Sequence, residues 1–138
     1  MHGLDMRHLR SSYTAYALQS YEMGTALARI SQPSDLVVTV ANAIGDPVAV
    51  YYSRRRGWVF PPAWPGVKWS ADPVEEPAAI RLFDQLRLNG AKWLGIVATQ
   101  RAKFRETAPR LLAHIESTTE LVDENRDWAI YRIPPPRK

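Results

Sequence analysis

One stretch decides the fold: Asp46-Pro47-Val48-Ala49-Val50-Tyr51-Tyr52-Ser53-Arg54-Arg55-Arg56-Gly57-Trp58. Asp46 can cap a helix whose first residue is Pro47, where the missing N–H of proline costs nothing. Gly57 suits a left-handed stop at the other end. The residues between also have strand propensity, so a strand over 48–53 is the competing interpretation. The Asp-Pro start and the Gly finish favour a short helix that ends at Gly57.

Upstream of this stretch, the pattern predicts a helix followed by a strand. Apolar residues recur at steps of three and four over 12–30, Ser12 is a plausible N-cap, and Pro33 blocks continuation. The run 36–41 is β-branched and almost wholly apolar, which is typical of a strand covered on both faces.

Downstream, strands and helices continue to alternate. We predict a short strand over 58–60, a proline-rich loop over 61–73, an amphipathic helix over 75–88 and a strand over 92–98. Asn89-Gly90 would end the amphipathic helix.

The C-terminal third predicts a helix and then a hairpin. The helix covers 101–116, with Thr99 as its cap, and Pro109 should kink or restart it. Segments 119–123 and 128–133 flank a polar turn and read as an antiparallel hairpin. Its inward-facing candidates are Val122, Ala129 and Tyr131.

This order predicts an α/β fold with three layers, in which helices flank a mainly parallel sheet and the C-terminal antiparallel hairpin forms one edge. The 138 residues fit one domain over 12–133. Residues 1–11 are expected to be a flexible N-terminal segment, and 134–138 a flexible proline-rich tail.

Composition narrows the function classes. Apolar residues make up 46% of the chain, and 18 basic against 14 acidic side chains give a formal charge of +4. The charges of both signs are dispersed, so no nucleic-acid partner is expected. No cysteine is present, which excludes disulfides and thiolate sites. No apolar run approaches a membrane span and no signal peptide is recognisable, so the polypeptide is expected to be soluble.

Ligands of open α/β sheets favour the C-terminal ends of the parallel strands. The candidates there are Asn42 and Asp46 after the first strand, and Thr99 and Gln100 after the third. The first loop lacks the spaced glycines of a phosphate or dinucleotide loop, and no cofactor is expected. For both Asp46 and Thr99, a role as a helix cap is the favoured interpretation.

Other residues give weaker signals. The predicted helix ends at Arg54, Arg55 and Arg56. These arginines are either a solvated cationic end of the helix or a contact for phosphate or the membrane. His114 has no carboxylate at motif spacing, and no metal site is expected from it together with His2 and His8. Neither a nucleophile elbow nor another catalytic constellation is present, so no catalytic residue is assigned.

Several short motifs, taken in order, resemble the soluble C-terminal domain of multi-span membrane glycosyltransferases. These belong to the superfamily of dolichyl-phosphate-mannose protein mannosyltransferases and aminoarabinose transferases. The motifs are Tyr16-Ala17…Ala26-Leu27-Ala28, Asp35-Leu36-Val37-Val38, Asp46-Pro47…Tyr51-Tyr52-Ser53…Arg55-Arg56-Gly57-Trp58, Leu88-Asn89-Gly90-Ala91-Lys92-Trp93-Leu94 and Trp128-Ala129-Ile130-Tyr131-Arg132-Ile133.

The resemblance implies a non-catalytic domain on the extracytoplasmic face that assists access of the acceptor or of the lipid-linked sugar. In such enzymes the catalytic acid lies between membrane spans, so the resemblance transfers no catalytic residue to this chain. The alternative is a free-standing α/β module that binds a nucleotide or a carbohydrate at the strand ends. A small enzyme with an unrecognised site is a third reading.

Overall fold

The computed structural model describes residues 15–41, 47–60 and 76–135. Several sequence predictions fall outside these ranges: the flexible segment 1–11, the Ser12 cap, Asn42 and Asp46, the loop 61–73 and the end of the tail.

Helices and strands follow one another in the predicted order. The elements are α1 (Ala15–Ile30), β1 (Leu36–Val40), α2 (Val48–Ser53), β2 (Gly57–Val59), α3 (Glu76–Leu88), β3 (Ala91–Val97), α4 (Ala98–Thr107), α5 (Pro109–Thr118), β4 (Glu120–Glu124) and β5 (Trp128–Arg132).

The strands form one open, mixed sheet in the order β2-β1-β3-β5-β4. β1 pairs in parallel with both β2 and β3, and Val38 lies opposite Trp58 on one side and Leu94 on the other. β5 runs antiparallel to β3, and β4 antiparallel to β5. The α/β class, the parallel centre and the antiparallel C-terminal hairpin at the sheet's edge are confirmed.

Two apolar clusters pack against the sheet. Alternate residues of β5 enter different clusters, with Ala129 and Tyr131 in the larger and Trp128 and Ile130 in the smaller. Leu94 and Ile96 of β3 join the larger cluster, with residues of α3, α4 and α5. Val97 joins the smaller one, with Met23 and Leu27 of α1 and Ala49 of α2. The helices therefore contribute to two separate apolar clusters.

The opening stretch does form a helix, so the competing strand over 48–53 is wrong. The predicted stop at Gly57 is also wrong, because Arg54 takes the left-handed conformation with φ 57° and Gly57 begins β2. Glycine is required there for a different reason: a Cβ on Gly57 would overlap the carbonyl oxygen of Val37. This close backbone approach lets β2 pair with β1 three residues after the helix ends.

Pro109 separates two helices, as predicted, and stands at the start of α5. The prediction that Thr99 caps the preceding helix is wrong. β3 passes directly into α4, whose N-cap position is Val97. The N–H of Ala98 finds an acceptor in the carbonyl of Asp127, so no side-chain cap is needed at that group.

The hairpin forms with Ala129 and Tyr131 buried, as predicted, but Val122 is 43% exposed. The register between β4 and β5 shifts between Leu121 and Asp123, which leaves Val122 as the extra residue of a bulge. Since β4 is the edge strand and is exposed throughout, nothing covers this side chain among the described residues.

Two glycine substitutions separate steric from conformational cost. Gly57→Ala should lower the free energy of unfolding by about 3 kcal/mol, because the new methyl group forces β2 away from β1. Gly90→Ala should cost about 1–2 kcal/mol, since φ there is 101° but the space is open. Urea denaturation of both variants measures the difference, and a larger loss for Gly90→Ala would contradict this assignment.

Candidate functional site

The predicted ligand site at the strand C-terminal ends is described only in part. β1 and β3 are parallel neighbours with Val40 opposite Ile96, so their C-terminal ends do meet at one edge. Thr99 and Gln100 lie there in the first turn of α4, with Thr99 exposed. Asn42 and Asp46 lie outside the described residues, so their approach to this turn stays a prediction.

The opposite edge of the sheet, where β1 and β3 begin, is strongly basic. α1, α2 and α3 end at this edge and β5 finishes there. We call it the basic edge. Its cations are Arg29, Arg54, Arg55, Arg56, Arg87, Lys92 and Arg132, and the carboxylates near them are Asp35, Asp84 and Glu120.

Arg55 is neither a solvated helix end nor a free headgroup contact. Its Nε donates to Ser31 Oγ at 2.9 Å, and its Nη2 donates to the carbonyls of Ala28 and Ser31, both at 3.0 Å. The guanidinium therefore satisfies carbonyls at the C-terminal end of α1, where positive charge is favourable. Of the three predicted contact arginines, Arg54 and Arg56 are the two that remain exposed.

Three tyrosines form an edge-on aromatic row beside these arginines. The ring centroids of Tyr21 and Tyr52 are 4.5 Å apart, and those of Tyr51 and Tyr52 are 5.0 Å apart. Tyr51 is 74% exposed at the outer end of the row. An exposed aromatic ring thus stands one turn before the exposed Arg54, on a support that packs against α1.

Asp35 is a buried carboxylate at the basic edge. Its Oδ2 accepts hydrogen bonds from the backbone N–H of Gln32 and from Trp93 Nε1, each at 2.9 Å, and Lys92 Nζ lies 3.9 Å from Oδ1. Burial opposes ionisation, but these two hydrogen bonds, Lys92 and Arg55 outweigh it and lower the pKa of Asp35 below 3.8. The carboxylate joins the start of β1 to the start of β3.

A cleft of about 370 Å³ opens beside Asp35 on the basic edge. Three cations contribute to its wall, together with the Trp93 indole and the Leu88 side chain, which is 66% exposed. The cations are Arg87, Lys92 and Arg132. This cleft lies at the N-terminal ends of the parallel strands, the edge opposite to the one that strand order predicted.

His114 has a carboxylate partner that is distant in sequence. Its Nε2 lies 2.7 Å from Asp84 Oδ1, and Arg87 Nη1 donates to the same oxygen at 2.9 Å. Burial opposes ionisation of Asp84, but these two partners lower its pKa below 3.8. The contact between His114 and Asp84 joins α3 to α5. The two residues are 30 positions apart, so a local sequence motif could not reveal the contact.

A second network centres on Arg101, the first residue of the helix predicted over 101–116. The guanidinium binds Glu116 and Glu124 and lies 5.7 Å from the centre of the Tyr131 ring. Burial of the Tyr131 hydroxyl, which Arg101 only partly offsets, raises its pKa to about 12. Arg101 therefore links α4, α5 and the hairpin. This role is structural.

Glu76 also has a structural role. Its carboxylate accepts hydrogen bonds from the backbone N–H groups of Arg110 at 2.8 Å and Leu111 at 3.0 Å. It thus caps α5 from the start of α3.

Within residues 15–41, 47–60 and 76–135, no group of three or more His, Asp or Glu side chains is placed to hold a metal ion. No helix in these ranges is long and apolar enough to cross a bilayer. No protein-family model, curated protein or solved structure matches the chain.

Arg55→Ala should lower the free energy of unfolding by about 2 kcal/mol, because carbonyls at the end of α1 lose a charged donor. Arg56→Ala, which removes the same charge from an exposed side chain, should change it by less than about 0.5 kcal/mol. Chemical denaturation of both variants tests this, and equal losses would show that the Arg55 hydrogen bonds contribute little.

The ionisation of Asp35 should make the free energy of unfolding depend on pH. Its pKa in the folded state is lowered, so its contribution is present above the unfolded-state pKa and is lost as pH falls through the lower folded-state value. Between pH 5 and pH 2, Asp35→Asn should therefore lose less stability than the wild type. Urea denaturation across that range is the measurement, with the exposed Asp123→Asn as control. Parallel curves for Asp35→Asn and wild type would refute it.

Proposed function

We propose that this chain is a non-catalytic domain of a membrane glycosyltransferase-like protein, located on the extracytoplasmic face, and that it holds its basic edge against anionic headgroups. In this position it assists access of the acceptor or of the lipid-linked sugar. The reaction itself belongs to another part of the parent protein. The basis is the resemblance in motif order together with the surface around α2.

One observation carries the proposal: Tyr51, Arg54 and Arg56 are all exposed and lie within six residues of sequence at the end of α2. Tyrosine is enriched at the membrane–water boundary because its ring is apolar and its hydroxyl is polar. Basic side chains close to an anionic surface each contribute about 1 kcal/mol. A ring and two cations at one end of a helix therefore match the chemistry of an anionic membrane surface.

The surroundings of this surface support the same use. Tyr51 packs edge-on against Tyr52, which packs against Tyr21 of α1. Arg55 anchors the intervening backbone to the end of α1. Because these contacts fix the segment, a membrane contact here loses less conformational entropy than one made by a loose loop.

The architecture is compatible with the resemblance. The helices divide between the two core clusters, which supports a three-layer arrangement as part of the proposal. The alternative of a free-standing module that binds a nucleotide or carbohydrate at the strand C-terminal ends depends on Asn42 and Asp46. The described residues at that edge, Thr99 and Gln100, do not by themselves form a pocket wall of comparable charge.

Flotation with vesicles tests the membrane contact. Wild-type protein should float with vesicles that contain phosphatidylglycerol and remain unbound with pure phosphatidylcholine. Arg54→Ala/Arg56→Ala should weaken partitioning by roughly 30-fold, since two cations contribute about 2 kcal/mol. Tyr51→Ala should weaken it further by removing the apolar part of the contact.

The matched control is Lys103→Ala/Arg105→Ala, which removes the same charge from exposed positions on α4, across the sheet. This variant should float almost as well as the wild type. The proposal fails if wild-type protein does not float, or if both double variants lose the same affinity, because the contact would then follow net charge alone.

A further inference from the structure

We propose that the cleft at the basic edge is a binding site for a small organic phosphate monoester with an apolar body. The cleft shares the basic edge with the proposed membrane contact, but none of Tyr51, Arg54 and Arg56 lines it.

The size of the cleft fits a small molecule. Its volume of about 370 Å³ lies within the roughly 300–1,000 Å³ that is usual for ligand pockets. Its floor is where β1 and β3 begin, and Asp35 joins these two strands through the Trp93 indole. The wall is therefore built on paired strands.

The charge of the lining favours a dianion. Three cations less the carboxylate of Asp35 leave a formal charge of +2. The Oδ2 atom of Asp35 already accepts hydrogen bonds from Gln32 and Trp93, and the contact of Oδ1 with Lys92 is long, at 3.9 Å. A phosphate monoester carries about −1.5 to −2 at neutral pH and has three acceptor oxygens, which matches this surplus better than a carboxylate does.

The three cations of the cleft differ in how many of their hydrogen-bond donors already have a partner in the protein. Lys92 is 62% exposed and only 3.9 Å from Asp35, so its ammonium group can reach a ligand. Arg132 is exposed at the end of β5. Arg87 donates one Nη1 bond to Asp84, and its buried Nε has no acceptor among the residues that the structure describes. A guanidinium with donors to spare lies in the wall of the cleft.

The apolar side chains of the cleft indicate that the ligand has an apolar part in addition to its phosphate. Leu88 is a large apolar side chain left 66% exposed at this site, and the partly buried Trp93 continues the apolar surface. A ligand that covers these side chains gains from their burial, whereas a bare phosphate leaves them in water. The ligand is therefore amphipathic, with its phosphate on Lys92 and Arg132 and its body along Leu88.

Isothermal titration calorimetry with soluble ligands tests the site. Hexyl phosphate should bind, inorganic phosphate should bind at least about tenfold more weakly, and hexanol should not bind measurably. Lys92→Ala/Arg132→Ala should weaken the binding of hexyl phosphate by tenfold or more, which corresponds to about 1.4 kcal/mol. Leu88→Ser should weaken the binding of hexyl phosphate and leave the binding of inorganic phosphate unchanged, because it removes only the apolar contact.

Two control variants separate this proposal from the membrane contact. Arg54→Ala/Arg56→Ala and Lys103→Ala/Arg105→Ala should both retain hexyl phosphate binding. Absence of hexyl phosphate binding at millimolar concentration would overturn the proposal, as would unchanged binding by Lys92→Ala/Arg132→Ala. The flotation result would stand in either case, so the two proposals fail independently.

Vesicles identify the source of the phosphate. Phosphatidic acid carries a phosphate monoester, and phosphatidylglycerol carries a diester. If Lys92→Ala/Arg132→Ala loses binding to phosphatidic acid vesicles specifically, the ligand is a lipid headgroup. If hexyl phosphate binds in solution and this variant floats as wild type does on both, the ligand is a free small molecule. Both results support the same site.

Discussion

The fork of hydrogen bonds from Arg55 is the interaction on which the basic edge depends. Its guanidinium holds the carbonyls of Ala28 and Ser31 while its own backbone lies between α2 and β2. This contact fixes where α1 ends relative to α2, and hence where Asp35 enters β1. Arg54 and Arg56, on either side, are directed outward because Arg55 is held inward. The exposure of Arg54 and Arg56 and the holding of Arg55 against α1 thus have the same local cause.

The basic edge also follows from topology. In a sheet whose strands alternate with helices, the helices that lead into parallel strands end where those strands begin. Cations are favoured at helix C-terminal ends, and Arg29 and Arg87 stand in the last turns of α1 and α3. The ends of three helices therefore bring their cations to one edge. Their dipoles offset part of this charge, so the potential at the edge is weaker than the number of side chains implies.

Much of the fold follows from local patterns along the chain. The order of elements, the break at Pro109 and the end of α3 at Asn89-Gly90 each depend on residues close in sequence. The errors have a common cause, which is that a distant group decided the outcome. Gly57 is needed because of Val37, Val122 is exposed because β4 is an edge strand, and Thr99 is no cap because β3 passes directly into α4.

The sequence by itself determined that this chain is an α/β domain with an arginine cluster where a short helix meets a strand. These features could be predicted because the residues that start and stop helices, and the periodicity of apolar residues, act over a few positions. Only the tertiary structure decided that Arg55 is internal, that His114 meets Asp84 and that a cationic cleft opens beside Asp35. These are contacts between segments 24 or more residues apart, and their partners are chosen by how the strands pair.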